Sequence, residues 1–443
     1  MMGHSLIYDV IGIGFGPANL ALAAAISDSG RSLSSLFLEC KNAFSWHPGM
    51  LFKDATMQTS FLKDLVTINN PQSRFSFLNF LLVQGRLNEF ISMRRLFPTR
   101  VEFNQYFKWV AEQLNDNVLY NTEVLKIVPF RSNGAGNIDT IEVQTIDLTS
   151  GVQSSYLAKN VVLGLGMTPN FTIDGEKYSQ KMFHSSHFLQ KMEEFFYEKG
   201  KSYRFVVIGS GQSAAEATYY LLANYPASKV DVISRGFIFK SIDDNPFVNE
   251  LYSGRYAEFF FGLDMDSKDF LLNSLENTNY SVVDIDLINK IFSIKYDDFI
   301  SQNQRLSCHS FSKIEEIYSE KNETYVRLVN NVTKAPETLK ADIVCFCTGF
   351  NNAGIKKILE DLNPYLKSDF GESYLMNSSY RMDLSSSVSA GIFLQGYSNK
   401  SYGFTEGTIA DLATRSQLIL QNIFKTLHSE SNIDASVDES VVA

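Results

Sequence analysis

The sequence predicts an α/β chain of two Rossmann-like units, with a small, mainly helical unit set between their parts. Three observations carry this expectation. Two segments, 8–26 and 203–220, repeat one pattern of apolar strand, glycine turn and small-residue helix. Further apolar runs at 161–166 and 341–350 end in glycine turns and read as additional strands. The stretch from about 237 to 300 lacks that pattern and reads as helical.

In the first segment, the apolar run ends in Gly12-Ile13-Gly14-Phe15-Gly16-Pro17 and continues into Ala18-Asn19-Leu20-Ala21-Leu22. Such glycines let the backbone turn tightly and approach a pyrophosphate, whose charge suits the free N–H groups of a helix start. Pro17 fits a first helical turn, where its missing N–H costs nothing. The next apolar strand ends in Glu39, placed to accept the ribose hydroxyls of an adenosine.

In the second segment, 205–208 leads into Gly209-Ser210-Gly211-Gln212-Ser213-Ala214-Ala215-Glu216, with Ala214 at the third small position. Its following strand ends in Ser234-Arg235 rather than an acid. An arginine there pairs with a 2′-phosphate that a carboxylate would repel, so this copy favours NADP over NAD. One glycine motif is weak evidence, because parallel sheets need tight connections anyway. Two copies, one closed by Glu39 and one by Arg235, imply FAD and NADPH.

Composition bounds the function. At 443 residues, 44% hydrophobic and 20% charged, the chain suits two or three domains with large cores. A net charge of −10 argues against nucleic acid as a partner. The four cysteines, Cys40, Cys308, Cys345 and Cys347, form no Cys-x-x-Cys and no zinc-ligand spacing, which weighs against a disulfide framework, thioredoxin-like chemistry and structural zinc. Cys345 and Cys347 read as small buried side chains of a strand. Without a secretory signal or a run of about 18 apolar residues, a cytoplasmic protein with no membrane insertion is expected. The tail from about residue 428 is polar and acidic.

Together with Trp46-His47-Pro48-Gly49-Met50, Met57-Gln58-Thr59-Ser60-Phe61-Leu62-Lys63-Asp64-Leu65, Asp243-Asp244-Asn245-Pro246-Phe247-Val248-Asn249-Glu250 and Asn277-Thr278-Asn279-Tyr280-Ser281-Val282-Val283-Asp284, these glycine segments resemble a known family. It is that of the microbial N-hydroxylating flavin monooxygenases, the L-ornithine N5- and L-lysine N6-monooxygenases of hydroxamate siderophore synthesis. The likeness covers nearly the whole chain, and the last two segments look more like the ornithine branch.

The resemblance implies an FAD domain from 1–165 and 345–427, an NADPH domain from 166–236 and 307–344, a substrate domain at 237–306 and a polar tail at 428–443. It implies that NADPH reduces FAD, that O2 adds to give a C4a-hydroperoxyflavin, and that a terminal amine attacks the distal oxygen. A homo-oligomer, a tetramer in the family, is implied as well. By motif position, Gly12, Gly14, Gly16, Pro17, Glu39, Trp46, His47, Gln58 and Thr408 would serve the flavin. Gly209, Gly211, Gln212, Ser213 and Arg235 would serve the nicotinamide cofactor. Lys63, Asn249, Thr278 and Asn279 would hold the substrate, with Gln58 and Asn279 closest to the chemistry.

Each of these residues also has an ordinary reading. Trp46 and His47 could be packing around a proline turn, Asn249 and Asn279 helix caps, and Lys63 a solvated charge. Phe61 and Leu62 beside Lys63 suggest partial burial instead, where a substrate carboxylate relieves the cost of the ammonium. Ser401-Tyr402-Gly403-Phe404-Thr405-Glu406-Gly407-Thr408-Ile409-Ala410 departs from the family pattern: Tyr402 replaces a His, Phe404 a Leu, and Ala410 a Ser that lies near the substrate. L-Ornithine is the expected substrate, with putrescine, cadaverine or L-lysine as alternatives. A disulfide reductase lacks its dithiol here, and a Baeyer–Villiger monooxygenase lacks its Phe-x-Gly-x-x-x-His signature. A flavoprotein that only senses NADPH is set apart by whether NADPH consumption depends on an added amine.

Overall fold

The computed structural model describes residues 6–131, 137–170, 181–275, 278, 281–321, 323–367, 374 and 376–438. Strand β1 (Ile7–Ile13) runs parallel to β2 (Ser35–Leu38) on one side and to the second half of β6 (Gln153–Leu163) on the other. Beyond β2 lies β3 (Val118–Leu119), and β4 (Thr122–Phe130) and β5 (Thr140–Asp147) extend β6 as an antiparallel wing. The central strands are covered on both faces, which is why their sequences are continuous apolar runs rather than alternations. Helix α1 (Pro17–Asp28) returns across the sheet directly after the glycine turn.

The glycines of that turn are required by space and by dihedral angle. A Cβ on Gly12 would stand 2.3 Å from the Phe37 ring. Gly14 has φ +81°, and a Cβ there would lie 2.5 Å from the Gly164 carbonyl oxygen. Asn19, fully buried on α1, locks the junction. Its Nδ2 donates to the carbonyls of Gly14 (2.7 Å), Ile13 (3.1 Å) and Val162 (3.3 Å), and its Oδ1 accepts from Gln395 Nε2 at 2.9 Å.

The second sheet is wholly parallel, in the order β10, β9, β8, β11, β7. It comprises β7 (Met182–His184), β8 (Arg204–Ile208), β9 (Lys229–Ile233), β10 (Leu306–His309) and β11 (Ile343–Phe346). Helix α2 (Arg100–Gln113) belongs to the first unit, whereas α3 (Gln212–Asn224) and α4 (Ile285–Ile300) pack on one face of this second sheet. An antiparallel meander, Ser312–Glu320, Glu323–Asn330 and Pro336–Ala341, covers the other face through Ile317, Val326 and Leu328.

Between β9 and β10 the chain is helical, as the missing strand pattern predicts. A 3-10 turn at Val248–Tyr252 is followed by helices Gly254–Phe261 and Met265–Ser274, and a two-residue parallel pairing of Lys240–Ser241 with Val282–Val283 closes the segment at its base. The far end of the chain then rejoins the first sheet. β12 (Gly391–Leu394) lies parallel to β6, and α5 (Leu412–Asp438) crosses α1.

Cys345 and Cys347 project together from β11 and the residue beyond it, their sulfurs 3.7 Å apart and buried. Burial raises the pKa of the Cys345 thiol well above its ordinary value, and its neighbour Cys347 adds to this. Cys40 and Cys308 reach the surface, yet partial burial raises both thiols, helped at Cys40 by the Glu39 carboxylate. Among the described residues no helix is long and apolar enough to cross a membrane.

Asn19→Ala leaves the Gly14, Ile13 and Val162 carbonyls and the Gln395 amide without their partner. Unmade buried hydrogen bonds cost about 1 to 3 kcal/mol each, partly relieved by relaxation, so a loss of about 2 to 4 kcal/mol is expected in denaturant unfolding. A loss below about 0.5 kcal/mol would contradict the lock. His309 supplies a pH test. Its Nε2 faces Asp231 at 2.8 Å and its Nδ1 faces Glu337 at 3.0 Å, and the Asp231 hydrogen bond leads the causes that raise its pKa above 6.5. The raised value means that its stabilisation is complete below pH 6.5 and fades as pH rises through the folded pKa. His309→Gln therefore destabilises more at pH 6 than at pH 9 in thermal melts.

Candidate active site

Gly16, extended at φ −80° and ψ −174°, starts α1 without a side-chain cap, and a Cβ on it would meet nothing within 4 Å. The first-turn N–H groups of α1 thus face open space, the arrangement that accepts a pyrophosphate. Glu39, buried at the end of β2, accepts from the Phe15 N–H at 2.7 Å and the Lys41 N–H at 3.0 Å. Its carboxylate sits at the turn, where the adenosine of a dinucleotide would lie. These residues fit the adenosine diphosphate half of FAD.

The second turn has the same form. Gly209 has φ +139° with a Cβ position 2.3 Å from the Cys347 carbonyl oxygen, and Gly211 starts α3 uncapped. Ser213 is partly exposed on the first turn of α3, and Arg235 stands exposed beyond β9, in no ion pair among the described residues. A bidentate cation in that place fits the 2′-phosphate of NADPH.

Gln212 has a different occupation. Its Nε2 donates to Glu216 Oε1 at 2.9 Å, and its Oε1 accepts the Asp284 N–H at 2.9 Å. Glu216 in turn receives both nitrogens of the Arg100 fork, Nη2 on Oε1 at 2.6 Å and Nη1 on Oε2 at 2.8 Å. Arg100 opens α2 of the first unit and Glu216 lies on α3 of the second, so this buried ion pair joins the two. The backbones also touch there, since a Cβ on Gly49 would stand 2.1 Å from the Ser186 carbonyl oxygen.

Beside this junction the Trp46 ring lies 5.2 Å from Phe107, and His47 is left-handed at φ 44° before Pro48. His47 keeps an exposed surface, yet the protein around it, with positive charge from Arg100 and Lys41, lowers its pKa to about 4. Phe350 stands between His47 and His184, at 6.4 and 5.0 Å. Gln58 is exposed on the loop that follows.

In the loop before Leu65, Lys63 donates its Nζ to the Tyr252 carbonyl at 3.2 Å. Burial lowers its pKa and the Asp411 carboxylate opposes that. Tyr252 donates its hydroxyl to the Thr278 carbonyl at 2.8 Å, so the 248–252 turn is bonded to Lys63 at its backbone and to Thr278 at its side chain. Asn249 is exposed on that turn, with Nδ2 on Asp244 at 2.9 Å. Thr278 spends its hydroxyl on the Leu275 carbonyl at 2.7 Å, and Asn279 lies outside the described residues.

The departing segment 401–410 is packed rather than loose. Tyr402 stacks between Tyr380 (3.9 Å) and Phe261 (5.3 Å), donates to the Asn377 carbonyl and accepts the Tyr380 N–H at 3.1 Å. Its hydroxyl is thus committed to backbone. Behind it Glu406 accepts the Gly396 and Tyr397 N–H groups and pairs with buried Arg415 at 3.1 Å. Thr408 donates to the Thr405 carbonyl at 3.0 Å just before α5. Arg100, Tyr252 and Asp411 lay in no motif, Glu216 closed one without a role of its own, and the Arg100–Glu216 and Lys63–Tyr252 contacts span 116 and 189 positions.

Residues 6–352 match the profile of the L-lysine 6-monooxygenase/L-ornithine 5-monooxygenase family. This chain belongs to that family. An L-ornithine N(5)-monooxygenase from Burkholderia cepacia is 34% identical over 415 residues, covering 91% of both chains. The ornithine N-hydroxylase of Kutzneria sp. 744 superposes with a TM-score of 0.89 at 32% identity, covering 95% of this chain and 99% of that one. The cadaverine monooxygenase of Erwinia amylovora gives 0.82 at 28% identity, covering 94% of each. As a member of the family, the protein is a flavin-dependent N-hydroxylating monooxygenase that uses FAD and NADPH.

For this monooxygenase, Arg235→Ala is expected to weaken apparent NADPH affinity by about one to two orders of magnitude, as loss of a charge-assisted contact of roughly 1.5 to 3 kcal/mol requires. NADH affinity should change little. Equal efficiency with NADPH and NADH in the unmodified enzyme would remove the role assigned to Arg235.

Proposed function

We propose that this monooxygenase hydroxylates the terminal amine of L-ornithine with O2, for hydroxamate siderophore synthesis. The observation that carries the reading is Tyr252, which links Lys63 through its carbonyl and Thr278 through its hydroxyl, so that residues of three separate motifs are tied to one turn. Burial lowers the Lys63 pKa despite the opposing pull of Asp411, and an α-carboxylate brought to its ammonium would offset more of that cost. The Burkholderia relative and the Kutzneria structure, solved with reduced FAD, NADP+ and L-ornithine, support the same substrate.

Bound FAD, once reduced by NADPH, supplies activated oxygen to the amine. The chain's own residues bind and orient. Gly12, Gly14, Gly16 and Glu39 would hold the flavin dinucleotide. Gly209, Gly211, Ser213 and Arg235 would hold NADPH, while Gln212 keeps α3 fixed to Asp284. Trp46 and neutral His47 would line the flavin cleft without adding a charge to it, and Gln58 and Thr408 border that cleft by their place in the sequence. Lys63 and Asn249 would grip the amino-acid end, so that the terminal amine is the group left to react. That amine must be neutral to attack, and at a pKa near about 10.4 only about one molecule in a thousand is neutral at pH 7.4. Product formation should therefore rise with pH more steeply than flavin reduction does.

Hydroxylated product measured in parallel from L-ornithine, L-lysine, putrescine and cadaverine tests the assignment. Ornithine should give the highest kcat/KM, and Lys63→Ala should raise its KM about tenfold or more, with the rate of flavin reduction by NADPH carrying little of the change. A tenfold preference for putrescine, about 1.4 kcal/mol in transition-state binding, would overturn the substrate.

A further inference from the structure

We propose that Asp411 holds the non-reacting ammonium of the substrate, opposite Lys63, and so makes the site select molecules that carry a second amine. This rests on the amine-hydroxylating reading above and adds a residue to it. Asp411 is 3% exposed, just before α5. Its Oδ1 lies 3.6 Å from where a Cβ on Gly254 would stand, two residues past the Tyr252 carbonyl that Lys63 reaches. Lys63 and Asp411 therefore address the same short stretch of chain, one as a cation and one as an anion, close enough for each to act on the other's charge.

Asp411 is short of partners for a buried carboxylate. The Tyr380 hydroxyl is at a long 3.5 Å, and Thr414 adds a side-chain hydrogen bond. The guanidinium that acts on it most, Arg415, gives its Nη1 to the Glu406 carbonyl at 2.8 Å and stands 3.1 Å from the Glu406 carboxylate, so it is shared between the two acids. Burial raises the Asp411 pKa, and the opposing pull comes from Arg415 and Lys63. In charge terms, Glu406 and Asp411 balance Arg415 and Lys63 before any substrate arrives. When a substrate carboxylate takes Lys63, Asp411 loses one of the two cations that act on it and shares Arg415 with Glu406, a deficit that a substrate ammonium at the same end restores. An α-amino acid head carries both groups, and L-ornithine places them four bonds or more from the amine that reacts.

The ordinary alternative is that Asp411 merely caps the start of α5, and the choice of variant separates the two. Asn caps a helix start as well as Asp does but carries no charge. Two analogues isolate the contact: 5-aminopentanoate is ornithine without its α-ammonium, and putrescine is ornithine without its carboxylate. In the holoenzyme the unmodified protein should prefer ornithine to 5-aminopentanoate by about tenfold or more in kcat/KM and in calorimetric affinity. Asp411→Asn should lose about that factor for ornithine and less than about twofold for 5-aminopentanoate, so the preference collapses. Asp411→Glu, which restores the charge, should recover part of it.

Equal losses for both amines in Asp411→Asn, or no loss for either, overturn the proposal. If the unmodified enzyme favours putrescine, ornithine falls as the substrate but Asp411 is still tested, by comparing putrescine with butylamine in the same variants. A preference for putrescine that survives Asp411→Asn overturns the role of Asp411, and one that collapses supports it. Absence of binding by all four amines overturns both readings.

Discussion

Arg100 and Glu216 bury a two-pronged ion pair at the join of two units that each have a complete core of their own. Removing one partner of such a pair leaves a charge away from water, at a cost of about 3 to 5 kcal/mol, so the arrangement is satisfied only when the units are docked in this one way. From Glu216 the constraint passes to Gln212 at the second glycine turn and from Gln212 to the backbone of Asp284, where the helical segment closes. Together with the Phe52 ring, packed against Phe188 and Tyr220, this contact ties the first sheet, the second sheet and the helical segment to one another. It also supplies part of the positive field that keeps His47 neutral.

The carboxyl-end segment shows a different solution to burying charge. Glu406 and Arg415 pair as charges at 3.1 Å and Glu406 accepts from the backbone of residues 396–397, while Tyr402 adds a ring stacked on Tyr380. A tyrosine in that position is accommodated because its hydroxyl finds the 377–380 backbone. The tyrosine is absorbed by packing, and through Tyr380, which it stacks on and whose hydroxyl faces Asp411, it stands next to the charges around Lys63.

Glycines were the most legible residues in the sequence, because at Gly12, Gly14 and Gly209 a single Cβ would strike neighbouring atoms, and a constraint that local leaves a local signature. Apolar runs located the buried parallel strands for the same reason. The polar residues behave otherwise. Arg100 meets Glu216 across 116 positions, and no spacing rule links them. Gln212 stands in a cofactor motif, yet its amide is occupied by neighbouring segments, and the Thr278 hydroxyl is spent on its own turn. Asp411 lies one residue past the segment whose departures drew notice, invisible until the fold set it beside Gly254 and Lys63.

The thiols acquire a meaning from the chemistry around them. An enzyme that activates O2 on a reduced flavin releases hydrogen peroxide whenever turnover is uncoupled, and peroxide attacks thiolates far faster than thiols. Cys40 lies one residue beyond the carboxylate that faces the first glycine turn, and that carboxylate helps to keep its proton on. Cys345 sits in the strand beneath the second turn, protonated by burial, and Cys308 is protected in the same way on the neighbouring edge. At Cys40, Cys308 and Cys345 the surroundings thus lower the fraction of reactive thiolate beside both dinucleotide sheets, which slows attack by any peroxide formed there.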